Sequence, residues 1–386
     1  MESLRKIFAF MQGNILVMTV TGAMGMFARS MVFPYASLYI LALGGEPAQI
    51  GFINSLRPLA GLIAFPIAGY LADRVGRVKV IGFTGYFSGA ILLLYVLAPS
   101  WHLIALAGLL RGFAVLQFPA SSAIIADSLS PENRGTGMAT MSSISGSLAV
   151  VAPYAAGFII AALGEETGIR LLYAVLMIVY LASAVINLRY LEDTAPHNPG
   201  QVRLADLPGT IKDAYNDIPD ILGRLSRSLS VLAVILVLSF MCNAIAAPFW
   251  VVYASREIGL SSVQWGLILF VEMALRSLVY IPAGMVVDRF GRSRCIRISL
   301  FLSLVVIPLF VVSETFWHVL LIRLVVGMVN AFFIPACSAL LADMVPRDLR
   351  GRVMAALGRG TVMIGASSGG TGGPGVGFLM TLPIML

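Results

Sequence analysis

The sequence predicts an all-α membrane protein built from two like-oriented helical bundles, and three observations carry that expectation. Of its 386 residues 59% are hydrophobic and only 12% charged, about half the charge of a soluble domain. The apolar runs exceed the roughly 20 residues a helix needs to cross a bilayer. The segment Gly69-Tyr-Leu-Ala-Asp73-Arg74-Val-Gly76-Arg77 returns as Gly284-Met-Val-Val-Asp288-Arg289-Phe-Gly291-Arg292, 215 residues later. Each copy closes a long apolar run.

The spans follow in order near 14–42, 50–72, 79–98, 102–127, 136–162 and 170–190, then 230–254, 263–287, 295–312 and 318–343. Arg5 and Lys6 precede the first, as in a signal peptide, but the run from about Asn14 to Ala42 is too long for a signal core and reads as a retained span. The repeat extends past the opening motif. Pro119-Ala120, Ala126-Asp127 and Arg134-Gly135 match Pro335-Ala336, Ala342-Asp343 and Arg350-Gly351, 216 residues apart. Because the basic loops fall on one side in both copies, the halves read as parallel repeats of six helices. The division is 1–191 for the first bundle, 192–229 for a polar linker on the membrane surface, and 230–386 for the second bundle. Only 35 residues follow Gly351 and they include Gly369-Gly370-Thr-Gly372-Gly373-Pro374-Gly375. The second bundle is therefore expected to lack its last helix or two.

The net charge of +7 sits in short loops. Eleven Arg and Lys residues lie in loops on one side, among them Arg74, Arg77, Arg134, Arg289 and Arg292, against Arg256 alone on the other. That asymmetry places the basic loops and the N-terminus in the cytoplasm of an integral, multi-pass membrane protein. The charge serves topology and contact with the lipid bilayer, with no nucleic-acid partner implied. Cys242, Cys295 and Cys337 lack metal-ligand spacing and read as buried free thiols.

In the repeated turn, Gly76 and Gly291 permit a tight reversal. Arg74, Arg77, Arg289 and Arg292 complement the helix dipole and anchor the loop. Asp73 at a helix C-terminus is opposed by that dipole and needs a partner, and Asp127, closing the fourth span, can pair with Arg77. The expectation is a cytoplasmic latch of Asp73, Arg77 and Asp127, mirrored by Asp288, Arg292 and Asp343, with a static topology anchor as its competitor.

Charges at bilayer depth usually face a cavity or a partner. Arg29, Arg57, Arg111, Glu272 and Arg276 qualify. Glu272 and Arg276 stand in the favourable i,i+4 order. Glu272 is the candidate protonation site, since burial favours its neutral form. Arg57 and Glu272 are also 215 apart, so pairing between the bundles is a further possibility. The arginine excess invites an anionic substrate held bidentately by Arg29 or Arg57, with bulky amphipathic compounds as the competitor. Asn243 and Gln117 are weaker candidates, more often interhelical hydrogen bonds. Pro34 and Pro248 are expected to bend helices 1 and 7.

The stretch Gly69–Val80 resembles the signature loop between helices 2 and 3 of the major facilitator superfamily, and 284–292 resembles its counterpart between helices 8 and 9. Arg111-Gly112-Phe113 with Pro119 is similar to the fourth helix of many members. Ala152-Pro153-Tyr-Ala-Ala156-Gly157 resembles the glycine-proline motif of the family's drug antiporters, with alanines at two glycine positions, which leaves antiport open. The resemblance implies a twelve-helix, alternating-access carrier.

No nucleotide-binding loop, metal cluster or nucleophile-base pair stands out, so neither an enzyme nor a cofactor is expected, and a membrane enzyme lacks clustered catalytic groups. The reading is a monomeric secondary transporter of a small-molecule substrate, driven by a proton or other coupling ion. A multidrug-type antiporter and a truncated, non-transporting relic are the alternatives.

Overall fold

In the computed structural model, residues 11–130, 134–194, 207–209, 211–212 and 227–344 are described. Ten spans account for nearly all of them, and they follow the predicted order: α1 Gly13–Ala42, α3 Arg77–Val96, α4 Trp101–Ser128, α6 Glu165–Tyr190, α7 Arg227–Arg256, α8 Ser262–Phe290 and α9 Arg292–Val312, with α2 Pro47–Val75 and α10 Phe316–Met344. The fifth, α5, runs as Arg134–Ala149 and Ala152–Leu163. No strand occurs among the described residues. Large apolar side chains stand outward along these helices, Phe83, Leu278, Ile281 and Leu304 each about 70% exposed. Only a hydrocarbon surround covers such a surface without cost.

Proline shapes the spans that face the centre. A proline lacks the N–H of the helical ladder and its ring crowds the carbonyl four residues back. In α1 the chain tightens to a 3-10 turn at Phe33–Tyr35, around Pro34, and in α7 at Ala247–Phe249, around Pro248. The expected bends are present, at equivalent places in the two halves. Helix α2 carries Pro58 and Pro66 and bends by 43° near the second. Helix α4 loosens into a 3-10 segment, Gly112–Leu116, directly after Arg111, although no proline stands before Pro119.

The repeated turns take the form their glycines allow. Gly76 and Gly291 have φ of 98° and 92°, a region that L side chains rarely enter. Each joins two antiparallel spans at the end of the bundle that carries the basic loops.

At the opposite end the two halves share one apolar core. Tyr35, Leu38 and Tyr39 of α1 lie in one cluster with Trp250, Trp265, Leu269 and Phe310 of the later helices. Two further clusters at the basic-loop end hold residues of the first half alone, including Ala72, Val78, Ile124, Ile15 and Met141. Helices α5 and α8 approach so closely that a Cβ on Gly266 would sit 2.5 Å from the Pro153 carbonyl oxygen, and one on Gly157 equally close to that of Ser262. The halves are thus joined away from the basic loops.

Two expectations need comment. The thought that the second bundle stops short falls on residues 345–386, outside the described residues, as does most of the linker 192–229. Of the three thiols expected to be buried, Cys295 and Cys337 are, but Cys242 is exposed. The outer face of α7 needs only apolar character, and a thiol supplies it as well outside as inside.

Candidate functional site

The charged residues of the spans sort into two cavities. The central one, of about 240 Å³, lies between the halves and is lined by α1, α2, α4, α7, α8 and α10. Arg57, Arg111 and Arg323 reach its wall beside Phe33, Tyr95, Tyr173, Trp250 and Trp265. The second, of about 160 Å³, lies inside the first half between α1, α3, α4 and α6, and holds Arg29, Gln117 and Tyr180. The sequence places Arg29 with Arg57 in one compartment; the fold sets them in two. The Arg29 Nη1 donates to the Tyr180 hydroxyl at 3.0 Å.

Arg323 is the residue that sequence reasoning passes over, an isolated cation inside the apolar run of α10. It is buried, and its Nη2 lies 2.5 Å from the Glu272 carboxylate. Its guanidinium also rests over the Trp250 ring at 4.9 Å and near that of Trp265 at 5.7 Å, positions where a cation is held by the ring quadrupole. Glu272 is fully buried and does not reach the cavity wall. Arg323 stands between it and the open space. Neither Arg57 across the bundles nor Arg276 on the same helix makes this ion pair; Arg276, half-buried, adds to the positive field around Glu272. Asn243 is half-buried on α7, away from the residues that line either cavity.

The first half is different. Among the described residues neither Arg57 nor Arg111 pairs with a carboxylate. Arg111 lies over the Phe33 ring at 4.6 Å, matching Arg323 over Trp250. Arg57 feels the like charges of both Arg111 and Arg29. Trp265 is buried at the wall with its indole N–H unpaired, a further donor beside the guanidiniums.

At the basic-loop end the two anticipated pairs form. Arg77 meets Asp127 and also donates to the Thr194 hydroxyl at 2.6 Å. Arg292 meets Asp343 and donates to the Ala339 carbonyl at 3.2 Å. Each pair ties a repeated turn to the spans of its own half, and neither crosses between halves. Arg74 stacks over Tyr70 at 5.3 Å. Asp288 and Arg289 are exposed; Gly69 and Gly284 lie within α2 and α8. The side chain of Asp73 falls outside the described residues.

The bonds that do cross lie at the other end. The Arg256 Nη2 of α7 meets the Glu165 carboxylate of α6 at 2.6 Å. The buried Tyr35 hydroxyl of α1 lies 2.8 Å from the Pro153 carbonyl of α5 and 3.0 Å from that of Ser262. Neither contact was visible as a pattern in the sequence.

Known proteins resemble this chain along nearly its whole length. The multidrug resistance protein MdtG of Salmonella typhi is 26% identical over 350 residues, covering 86% of this chain and 80% of that protein. Among solved structures, the nucleoside transporter NupG superposes with a TM-score of 0.66 at 15% identity, covering 97% of this chain and 95% of that one. The human organic anion transporter MFSD10 superposes at 0.59 with 16% identity, covering 96% and 97%. The sequence pattern of the Major Facilitator Superfamily matches residues 18–231 and 232–383. With the duplicated helices, the repeated loop and the cavity between the halves, these matches show that the chain is a membrane transporter and belongs to the Major Facilitator Superfamily.

Proposed function

We propose that this transporter carries a small organic anion with an aromatic or planar part, coupled to protons, by alternating access. The observation that carries the reading is the pair Arg57 and Arg111, which reach the central cavity without a carboxylate between them. A guanidinium cannot shed its proton, so its charge in a low-dielectric cavity calls for an anion. The planar fork suits a carboxylate or phosphate taken bidentately. The rings of Phe33, Tyr95, Tyr173, Trp250 and Trp265 suit a flat apolar body.

Coupling follows from the position of Arg323. An anion entering the cavity competes with Glu272 for the one guanidinium they share. Drawn toward substrate, Arg323 leaves Glu272 buried and unneutralised, and a proton is the least costly compensation. Substrate and proton then travel together. With the basic loops on the cytoplasmic side, the core shared at the far end closes the outer face, so the conformation is inward-facing. The chain acts as a monomer in the bilayer, its N-terminus in the cytoplasm.

A second reading, efflux of chemically varied amphipathic compounds, is favoured by the names of relatives such as MdtG. Flux into proteoliposomes separates the two. Aromatic carboxylates should move, faster under an imposed pH gradient, and lipophilic cations should not. Movement of lipophilic cations alone would reject the anionic reading.

A further inference from the structure

The cavity inside the first half has its own unmet chemistry. Arg29 reaches it from the middle of α1, and no carboxylate among the described residues pairs with it. Gly25 leaves room for the guanidinium, since a Cβ there would sit 3.2 Å from Nη1. Three buried polar atoms of this wall have no partner: Arg29 Nε, Ser183 Oγ and Asn187 Oδ1. Asn187 is only 8% exposed, and turning its amide over presents the NH2 group instead. The Tyr180 hydroxyl accepts from Arg29 and so keeps its own proton to give.

An uncompensated guanidinium, a free hydroxyl donor and an amide around a small enclosed space describe an anion site. At about 160 Å³ the space fits a small ion and its neighbours rather than an organic solute. Its walls come from α1, α3, α4 and α6 alone, so an occupant need not leave when the halves rock. We propose that this cavity binds a resident inorganic monovalent anion, chloride, as the counter-ion of Arg29. Its effect reaches the central cavity. Arg29 acts on Arg57 with like charge, and a bound chloride offsets that repulsion. Chloride is then a structural ligand of the first bundle and a modulator of Arg57, not cargo.

The test uses the purified full chain in detergent, with sodium chloride exchanged for sodium gluconate at constant ionic strength. A ligand of the folded state alone raises the unfolding midpoint with saturation. Chloride should do so, and crystals soaked in bromide should show an anomalous peak beside Arg29 Nε. The variant Arg29→Gln, which removes the charge, should abolish both. Should that variant not fold, Ser183→Ala keeps the charge, removes one donor and should weaken the chloride response several-fold. Equal midpoints in chloride and gluconate, or a bromide peak confined to Arg57 and Arg111, would overturn the proposal. So would ordered water alone beside Arg29. None of these readouts depends on transport, so a failure here leaves the proposed substrate reading standing, and the reverse.

Discussion

The two halves place equivalent side chains at the centre and give them opposite character. Arg57 of α2 and Glu272 of α8 stand 215 residues apart, the offset of the repeated turn. In the second half the carboxylate is sealed against Arg323, both about 1% exposed. In the first half the equivalent position is a second cation beside Arg111, open to the cavity. Around them the scaffold is shared: a 3-10 break in α1 and in α7, and an arginine over an aromatic ring in each. Duplication supplied one frame twice. A single change of sign at one position separates a neutral, closed pair from an open, cationic one, and so divides substrate binding from coupling between the halves.

The strongest way to break this comparison is to erase it. Arg57→Glu gives Arg111 a carboxylate and makes the first half resemble the second. Charge-assisted hydrogen bonds contribute about 1.5–3 kcal/mol each, and the variant both removes one set and occupies the other. Affinity for an aromatic carboxylate, read by calorimetry, should fall roughly 100-fold or more. A loss of only a few-fold would mean that the two arginines do not form the anion site.

The next test sharpens the other side. Glu272→Gln removes the candidate protonation group and leaves Arg323 buried without its partner, a change that costs about 3–5 kcal/mol in a soluble core. Gradient-driven accumulation in proteoliposomes should drop to the level reached without a pH gradient. Exchange of labelled for unlabelled substrate should persist, because Arg323 is then free for the anion. Substrate should also stabilise this variant more than it stabilises the parent. Accumulation that survives intact would remove Glu272 from the coupling step.

What the sequence could and could not reveal follows from the range of each interaction. The spans are legible because a bilayer imposes length and apolarity on every one of them. The pairs Arg77–Asp127 and Arg292–Asp343 are legible because the duplication repeats both partners in register. Arg323 is not, since it lies in an uninterrupted apolar run and its partner is 51 positions earlier on another helix. An isolated arginine in such a run is itself the signal, by the same cost argument that singled out Arg57. The separation of Arg29 from Arg57 was also hidden, because the angle at which α1 and α2 meet the bundle axis decides which cavity each side chain enters. Nor does the repeat announce that the anticipated latch pairs stay within their own halves. That depends on which ends of the helices meet, and the contacts between halves run through Tyr35, Gly157 and Gly266 instead.

A division of labour between halves requires them to move as units, and the bonds that hold them together at the far end set the smallest of these effects. Glu165 and Arg256 keep 28% and 49% side-chain exposure. An ion pair that wet contributes under about 1 kcal/mol and is screened by salt. Glu165→Gln should therefore shift the balance between the two conformations by no more than about fivefold, measured as the distance between spin labels on the loops near 164 and 259. The shift should shrink further in high salt. Tyr35→Phe offers the contrast, because its hydroxyl is buried and shares one proton between two carbonyls that would be left without it. Leaving buried acceptors unsatisfied costs about 1–3 kcal/mol, and high salt should not change it. If the two variants shifted the distances equally, or if salt erased both, the joint would be electrostatic rather than a packed, hydrogen-bonded seam, and the halves would be coupled by charge alone.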